Sequence, residues 1–362
     1  MPLKTMNKKT VIAMSGGVDS SVAAYLMKAQ GYDCIGVTMK LFHNEDTGAP
    51  DARTCCSLED VEDARSVAFR LGIPYYVFNF SDRFEAEVIG RFTAAYENGR
   101  TPNPCIDCNR FLKFDKLHHR AQELGYDFVA TGHYARIEYD EVLGRYLLKK
   151  ATDPGKDQSY VLYTLTQAQL AHTKFPLGGM TKPEVREIAK EQGFVNARKR
   201  DSQDICFVPN GDYADFIERR TGKKCPEGNF IDRDGHILGK HRGIIRYTIG
   251  QRKGLGLSLP EPMYVCAVNP ADNTVVLGKE AELYTRTLTA KDINLISVSC
   301  IEKPLRVKAK IRYRQAEQQA SVTQTDADTL KIEFDAPQRA ATKGQSVVLY
   351  DGDTVVGGGT IE

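Results

Sequence analysis

The first half of the chain alternates short apolar runs with longer amphipathic segments. An apolar run bounded by polar residues predicts a buried strand, whereas apolar residues at helical spacing predict a helix. The runs predicted as strands are residues 11–14, 34–39, 75–78 and 128–131. Segment 20–30 has helical spacing and is followed by Gly31, which favours a helix end. This alternation predicts a parallel sheet with covering helices.

Capping signals extend the helical pattern. Two residue pairs have the spacing of a capping box, Ser57 with Asp60 and Thr181 with Glu184. Each pair predicts a helix start, and the glycines that would end these two helices are Gly72 and Gly193. Two further helices are predicted over residues 83–97 and 109–124, joined by a loop.

The pattern changes after about residue 201. Short segments punctuated by glycines replace the long amphipathic ones and predict a small middle domain. Further on, the pattern predicts the strands of a small C-terminal β-barrel over residues 306–314, 320–325, 329–334, 346–350 and 354–361. The predicted α/β architecture therefore has three domains, with expected ranges 1–205, 206–284 and 285–362.

Composition is that of an ordinary folded protein. Of the 362 residues 41% are hydrophobic and 27% are charged. The strongly apolar runs are far shorter than the ~20 residues of a membrane span, and the polar segment 1–10 predicts no secretory signal. We therefore expect a cytoplasmic protein with no membrane partner, whose nine cysteines are thiols, metal ligands or catalytic groups. With a net charge of +2, a nucleic acid would be held by local basic patches.

A glycine pair lies where the first predicted strand meets the first helix. Residues 15–20 read Ser-Gly-Gly-Val-Asp-Ser. At such a turn, backbone N–H groups and the helix dipole can hold an anion. The motif lacks both the Gly-Lys-Ser/Thr ending of a Walker loop and the spaced glycines of a dinucleotide-binding loop. It resembles the pyrophosphatase loop of enzymes that adenylate a carbonyl or amide oxygen and thereby make that oxygen a leaving group.

Three cysteines are candidate reactive thiols. Cys105 and Cys108 follow a proline-stiffened loop, and their spacing suits metal or redox chemistry. Cys206 stands alone in a polar segment, and sequence spacing does not pair it with Cys108. The basic residues 198–200 predict a cationic setting for the Cys206 thiolate. The other cysteines are interpreted as structural or incidental: Cys34, Cys55, Cys56, Cys225, Cys266 and Cys300.

Several motifs occur in a fixed order along the chain. They lie at residues 15–20, 99–114, 130–134, 156–160, 202–207, 250–256 and 312–315. In this order they resemble the bacterial tRNA-specific 2-thiouridylases nearly from end to end. The resemblance implies an ATP-dependent enzyme that converts the wobble uridine of tRNAs for lysine, glutamate and glutamine to 2-thiouridine. Its partners would be tRNA and a sulfur donor, such as a cysteine desulfurase or a sulfur-relay protein.

The same resemblance implies roles for individual residues. ATP, together with Mg²⁺, would be bound by Ala13, Met14, Ser15, Gly16, Gly17, Val18, Asp19, Ser20, Met39 and Gly132. The target base would lie against Asn103, Pro104 and Cys105, and further tRNA contacts would come from His133, Lys156, Asp157, Gln158, Arg312, Tyr313 and Gln345. Cys108 matches the family nucleophile and Cys206 the persulfide carrier, and sulfur transfer would leave a disulfide between them. Arg312 and Arg314 alternate along a predicted strand, so both would project to one face towards tRNA.

Three alternatives stay open at this point. Cys105 stands where many family members have aspartate, which allows an iron–sulfur cluster held by Cys105, Cys108 and Cys206. An amide-forming ligase or an amidotransferase synthetase could use the same phosphate loop and would need no cysteine pair. A noncatalytic RNA-binding protein could use Cys105 and Cys108 in a structural zinc site, which needs two more ligands, but no second Cys-x-x-Cys occurs.

Overall fold

The computed structural model describes residues 8–42, 58–199, 205–208 and 211–362. These residues form two compact units. The first lies within Met1–Val88, Cys105–Gly211 and Asp353–Val355, and the second within Ile89–Pro104, Asp212–Gly352 and Val356–Glu362. In the described part of the chain, no helix combines the length and the apolar character needed to cross a membrane.

Seven strands belong to the first part of the chain. They are β1 Lys9–Ala13, β2 Asp33–Lys40, β3 Tyr75–Asn79, β4 Phe128–Ala130, β5 Arg136–Asp140, β6 Arg145–Lys149 and β7 Thr173–Lys174. Five of them form a parallel sheet in the order β3-β2-β1-β4-β7. Strands β5 and β6 pair as an antiparallel hairpin. The predicted parallel sheet is therefore confirmed.

Nine α-helices are described. They are α1 Val18–Ala29, α2 Leu58–Leu71, α3 Ser81–Phe84, α4 Arg91–Glu97, α5 Pro104–Asp107, α6 Leu117–Glu123, α7 Gln167–Ala171, α8 Lys182–Glu191 and α9 Tyr213–Thr221. Two π-helical segments, Glu85–Gly90 and Cys108–Lys116, continue α3 and α5. Short 3₁₀ turns occur at Ser159–Leu162, Ile244–Arg246 and Glu280–Leu283.

Helix α1 packs against the sheet through its buried apolar side chains. Val22, Ala23 and Met27 are buried against Ile12 of β1, and burial of each large apolar side chain contributes about 1.5–3 kcal/mol. Helix α8 begins as predicted after Thr181, whose backbone N–H donates to the Glu184 carboxylate at 2.7 Å. The predicted capping residue Ser57 lies outside the described residues, and α2 is described from its next residue onward.

The second unit contains the other strands. They are β8 Gly228–Ile231, β9 Ile237–His241, β10 Tyr264–Asn269, β11 Thr274–Gly278, β12 Tyr284–Leu295, β13 Leu305–Lys310, β14 Gln318–Asp326, β15 Thr329–Arg339, β16 Ser346–Asp351 and β17 Thr354–Ile361. Strands β8–β11 form the small middle sheet. Strands β12–β17 follow the order β12-β15-β14-β13-β16-β17, and pairing of β12 with β17 closes them into an antiparallel barrel. The predicted fold class is therefore confirmed.

Two predicted element limits are wrong. Strand β13 ends at Lys310, so Arg312 and Arg314 do not alternate along a strand. Arg312 lies in a turn, where its own carbonyl accepts the Gln315 N–H at 3.1 Å. The helix predicted to begin at residue 109 is preceded by another helical turn, because α5 begins five residues earlier, at Pro104. Proline suits the first helical position, where its missing N–H would have no partner within the helix and its fixed φ is helical.

Candidate functional site

The glycine-rich turn between β1 and α1 requires glycine for steric reasons. Gly16 has φ +72°, and a Cβ added there would lie 2.3 Å from the Asp60 carbonyl oxygen. Gly17 is the N-cap of α1, and no side chain caps the helix at this position. The partial positive charge of the α1 N-terminus is therefore kept for an anion rather than being offset by a capping side chain.

Hydrogen bonds from inside the protein fix the shape of this turn. The Ser20 hydroxyl accepts the Ser15 N–H at 3.2 Å and donates to the Gly17 carbonyl at 3.0 Å. Asn196, which is 3% exposed, donates from Nδ2 to the Gly16 carbonyl and to Ser21 Oγ, both at 2.9 Å. The turn is thus held in shape by its own serines and by an asparagine 180 residues away from Gly16, which no sequence motif marks.

Asp19, which is partly exposed, accepts hydrogen bonds from two side chains beside the turn. The Lys182 ammonium donates to both Asp19 carboxylate oxygens at 2.7 and 2.8 Å, and the Tyr134 hydroxyl donates to Oδ1 at 2.8 Å. Lys182 is 7% exposed. A buried ammonium needs such partners, because transfer of an unpaired charge out of water is costly. Sequence reasoning missed Lys182, and it included Tyr134 only as part of a quoted motif.

Gly132, which follows β4, brings a second chain segment against the start of α1. A Cβ added at Gly132 would lie 2.7 Å from the Asp19 carbonyl carbon and 2.8 Å from the Ser20 nitrogen. Any larger residue would therefore push the two backbones apart. Met39 is near the carboxyl end of β2. Val37, two positions before Met39, pairs with Ala13 at the carboxyl end of β1. The residues predicted to bind ATP thus cluster at the carboxyl ends of β1, β2 and β4.

The Cys105–Cys108 pair lies on one continuous helical stretch. Cys105 is exposed on α5, and Cys108, which is 9% exposed, opens the π-helical segment Cys108–Lys116. Beside it, Asn109 is buried and donates from Nδ2 to the Val161 carbonyl at 3.0 Å. One cysteine of the pair is therefore open to solvent while the other faces the protein interior.

The segment with Cys206 is anchored near the same stretch. Cys206 is partly exposed, and its neighbour Phe207 is 1% exposed and packs edge-on against Phe84 of α3 at 5.7 Å between ring centroids. Helix α3 in turn packs against the segment Cys108–Lys116, where Arg83 lies 3.9 Å from Asp115. Both cysteine-bearing segments thus pack against one short helix.

One of the three residues predicted to give Cys206 a cationic setting, Lys199, is engaged elsewhere. The Lys199 ammonium lies 2.7 Å from Asp60 and 2.6 Å from Asp63, so two carboxylates offset its charge. Arg198 is exposed, and Arg200 lies outside the described residues. Lys199 instead pairs with Asp60 of α2, the residue whose carbonyl oxygen lies against Gly16.

Several polar residues predicted to contact tRNA brace the fold of the first unit. Asp157 accepts the Ala151 and Ser159 N–H groups at 3.0 and 3.2 Å, and Gln158 accepts the Tyr134 N–H at 2.9 Å. His133 is buried beside two phenylalanine rings. Burial lowers the pKa of the His133 imidazole well below its usual value, and the charge of a nearby lysine adds to this effect. Lys156 is partly exposed.

In the second unit, two predicted tRNA contacts are also engaged internally. The Arg312 guanidinium donates from Nη2 to the Ile249 and Ala340 carbonyls and to the Thr342 hydroxyl, at 3.3, 3.1 and 2.7 Å. Gln345 donates from Nε2 to the Thr101 carbonyl at 2.7 Å. Tyr313 is 38% exposed, Arg314 is exposed, Asn103 is partly exposed and Pro104 is buried. Of the residues around the 312–315 turn, Tyr313 and Arg314 therefore have the most accessible side chains.

Among the described residues, the side chains with metal-ligand geometry do not include the three candidate cysteines. Across the described ranges, Asp232, Asp234 and His236 are the one group of three His, Cys, Asp or Glu side chains close enough to share an ion. Their side chains lie in the turn between β8 and β9 and are mostly exposed. Cys105, Cys108 and Cys206 do not form such a group in this structure.

Comparison with known proteins gives consistent family matches over nearly the whole chain. Residues 8–210 match the family model described as tRNA methyl transferase HUP domain, residues 214–279 the tRNA methyl transferase PRC-barrel domain, and residues 285–361 the aminomethyltransferase beta-barrel domain. A protein of Clostridioides difficile is 56% identical over 357 residues, which cover 99% of both chains. Relatives from Acetivibrio thermocellus and Clostridium acetobutylicum are 54% and 51% identical, covering 98% and 99% of this chain and 99% and 100% of theirs. All three relatives bear the name tRNA-specific 2-thiouridylase MnmA.

Proposed function

Because the chain belongs to the tRNA-specific 2-thiouridylase family, we propose that it replaces the 2-oxygen of a tRNA uridine with sulfur in an ATP-dependent reaction. The target is the wobble uridine of tRNAs for lysine, glutamate and glutamine. The observation that carries the proposal is the preformed anion-binding turn at Gly16 and Gly17, found in a chain more than half identical to named 2-thiouridylases. The enzyme works in the cytoplasm, where tRNA is available.

The turn before α1 suits the phosphates of ATP. Its glycines admit a phosphate close to the backbone, and the α1 N-terminus adds positive potential. Attack of the uridine 2-oxygen on the α-phosphorus releases pyrophosphate and leaves AMP on that oxygen. Asp19 offers the hard oxygen ligand that Mg²⁺ prefers, and the ion would neutralise phosphate charge. Lys182 keeps the Asp19 carboxylate in place.

Gly132→Ala is expected to weaken ATP binding by about tenfold or more. The added methyl group would collide with the backbone of Asp19 and Ser20, and overpacking of this kind costs about 1–3 kcal/mol. Isothermal titration with a nonhydrolysable ATP analogue measures the effect. Gly179→Ala is the matched control, because Gly179 has open space around it. Unchanged affinity in Gly132→Ala would remove this contact from the ATP site.

Cys206 and Cys108 carry the sulfur chemistry in this proposal. A persulfide on Cys206 delivers its outer sulfur to the carbon that bears the adenylated oxygen. Cys108 then attacks the inner sulfur of Cys206 and releases the product. The packing of both cysteine-bearing segments on α3 supports a route by which the two thiols meet. The sulfur enters from a cysteine desulfurase or a sulfur-relay protein. An iron–sulfur cluster on Cys105, Cys108 and Cys206 is the competing mechanism, and it would require the three thiols to converge.

Contacts with tRNA are expected from accessible side chains rather than from buried ones. Asn103 and Cys105 lie against the base with Pro104 behind them, and Lys156, Tyr313 and Arg314 reach the tRNA. The residues with internal hydrogen bonds shape the surfaces from which these side chains project; they are His133, Asp157, Gln158, Arg312 and Gln345.

Arg314→Ala and Arg312→Ala are expected to differ. Loss of the exposed Arg314 should weaken tRNA binding and lower the salt dependence by about one unit of slope per lost phosphate contact, with no change in the unfolding midpoint. Loss of Arg312 should lower the unfolding midpoint, because the Thr342 hydroxyl and two carbonyls lose their donor. Filter-binding titrations over a salt series and thermal unfolding separate the two effects. Identical salt slopes for Arg314→Ala and the parent would exclude Arg314 from the interface.

Mass spectrometry of tRNA nucleosides tests the proposed function. tRNA is incubated with the protein, a desulfurase with cysteine, and ATP, then digested and analysed. The proposal predicts 2-thiouridine derivatives that form only with ATP. An amide-forming ligase or an amidotransferase synthetase would leave uridine unchanged, so absence of thiolated nucleoside under these conditions would refute the proposal.

A further inference from the structure

Segment 100–104, which runs into the Cys105–Cys108 pair, is held by the C-terminal barrel within the second unit. The Thr101 N–H donates to the Lys343 carbonyl at 2.9 Å, and the Thr101 carbonyl accepts from Gln345 Nε2 at 2.7 Å. Both hydrogen-bonding groups of the Thr101 backbone are therefore used by one barrel loop.

A bidentate ion pair lies directly beside this backbone contact. Arg100 Nη1 and Nη2 donate to Glu362 Oε1 and Oε2 at 2.9 and 2.8 Å. The Glu362 N–H donates to the Thr289 carbonyl of β12 at 3.0 Å, which holds the backbone of Glu362 against the barrel wall. The hydrogen bonds from Arg100 lower the pKa of the Glu362 carboxyl, so the pair is charged at physiological pH. Paired planar groups of this kind add geometric specificity.

The barrel loop is also shaped for close approach. Gly344 lies between Lys343 and Gln345 with φ +87°, and a Cβ added there would come 3.0 Å from Arg100 Cβ and 3.1 Å from the Thr101 nitrogen. The left-handed backbone and the limited space both favour glycine. Backbone, side-chain and steric features thus converge on two consecutive residues, Arg100 and Thr101.

We propose that Arg100, Gln345 and Glu362 form a clamp that positions the base-binding segment for thiolation. The proposal rests on the proposed function, in which Asn103 and Cys105, two and four residues beyond Thr101, lie against the target uridine. Displacement of reacting groups by about 1 Å can cost 10²-fold in rate. The clamp residues are positioning residues, since they act through the backbone of residues 100–104. Gln345 thus contributes to the site indirectly, because it holds the Thr101 backbone.

A second ion pair in the same unit supplies a matched control. Arg306 donates from Nη1 and Nη2 to Asp335 Oδ1 and Oδ2 at 2.9 and 2.7 Å, with the same bidentate geometry. It joins β13 to β15, and neither residue contacts segment 100–104 through this pair. Exposed pairs contribute little to stability, so loss of either pair alone leaves the fold intact.

The test compares Glu362→Gln, Gln345→Ala and Asp335→Asn by single-turnover thiolation, ATP binding, and hydrogen exchange of peptides spanning residues 99–104. The clamp predicts that Glu362→Gln and Gln345→Ala thiolate at least about tenfold more slowly and exchange faster at the Thr101 amide, with ATP affinity unchanged. Asp335→Asn should keep the parent rate within about twofold. A charge-reversed pair, Arg100→Glu with Glu362→Arg, should recover part of the rate lost in Arg100→Glu alone.

Two results would overturn the clamp. One is parental thiolation and exchange in both Glu362→Gln and Gln345→Ala. The other is an equal loss of rate in Asp335→Asn, which would indicate a general effect of barrel destabilisation. Failure of the proposed function is distinguishable, because the unmodified protein would then form no 2-thiouridine, while the hydrogen-exchange comparison would still report on the clamp.

Discussion

Replacing either Cys108 or Cys206 with serine is expected to abolish tRNA thiolation while leaving uridine adenylation intact. Loss of a covalent catalytic group commonly lowers rates by roughly 10⁴-fold or more. In the proposed mechanism, the outer persulfide sulfur of Cys206 attacks the carbon that bears the adenylated 2-oxygen, and AMP leaves with that oxygen. The Cys108 thiolate then attacks the inner sulfur of Cys206. This step breaks the bond to the transferred sulfur, forms the Cys108–Cys206 disulfide and leaves 2-thiouridine, after which a thiol reductant restores both cysteines.

This mechanism also makes a structural demand. A disulfide requires α-carbons about 4.4–6.8 Å apart, so the α-carbons of Cys206 and Cys108 must be within this range at the step that joins them. Helix α3 is the element against which both segments pack. Iodoacetamide mapping after one turnover without reductant should therefore find Cys108 and Cys206 linked.

Cys105→Ser separates the persulfide mechanism from the cluster mechanism. Cys105 is exposed, and the persulfide scheme gives its thiol no covalent role, so its serine variant should retain most of the thiolation rate. A cluster would lose a ligand, and both iron and activity would fall together. Cys300→Ser is the control, because Cys300 is likewise exposed and lies in the second unit. Substantial thiolation without Cys108 or without Cys206 would contradict both mechanisms.

Asp19→Asn is expected to lower tRNA-dependent pyrophosphate exchange into ATP by about 10²-fold or more, because the carboxylate proposed to hold Mg²⁺ beside the phosphates is lost. The structure adds a consequence for stability that the motif alone did not indicate. The Lys182 ammonium, 7% exposed, would lose its charged partner, and breaking such a pair costs about 3 kcal/mol. Denaturant unfolding measures this second effect.

The double variant Asp19→Asn with Lys182→Met distinguishes the two roles of Asp19. It should recover much of the stability, since no buried charge is left unpaired, but none of the exchange activity. Glu187→Gln serves as a control, because Glu187 forms an exposed pair with Lys190 and such pairs contribute little. Parental pyrophosphate exchange in Asp19→Asn would show that Asp19 has no part in adenylation.

Local sequence patterns were sufficient for the sheet and the phosphate turn. Buried parallel strands such as β1 are continuous apolar runs, and Gly16 stands at the junction of β1 and α1, where its positive φ requires backbone freedom. Hydrogen-bond partners that are far apart in sequence and that only the fold brings together could not be predicted. Lys182 lies 163 residues from Asp19 and Asn196 lies 180 residues from Gly16, and neither has a distinctive neighbourhood in the sequence.

Surface roles were the least predictable from sequence. Arg312 was expected on a strand facing tRNA, but the chain turns after Lys310 and the guanidinium satisfies three acceptors inside the protein. Lys199 was expected to serve Cys206 but pairs with Asp60 and Asp63. A polar residue in a motif can bind a ligand or hold the fold in place, and only its hydrogen-bond partners distinguish these roles.

The fate of the uridine oxygen tests the central claim most directly. tRNA whose uridines carry heavy oxygen at the 2-position is incubated with the protein, ATP and a persulfide source, and the released AMP is analysed by mass spectrometry. Adenylation of the uridine followed by sulfur displacement predicts one heavy oxygen in AMP for each 2-thiouridine formed. Thiolation accompanied by AMP that contains only ordinary oxygen would contradict the account.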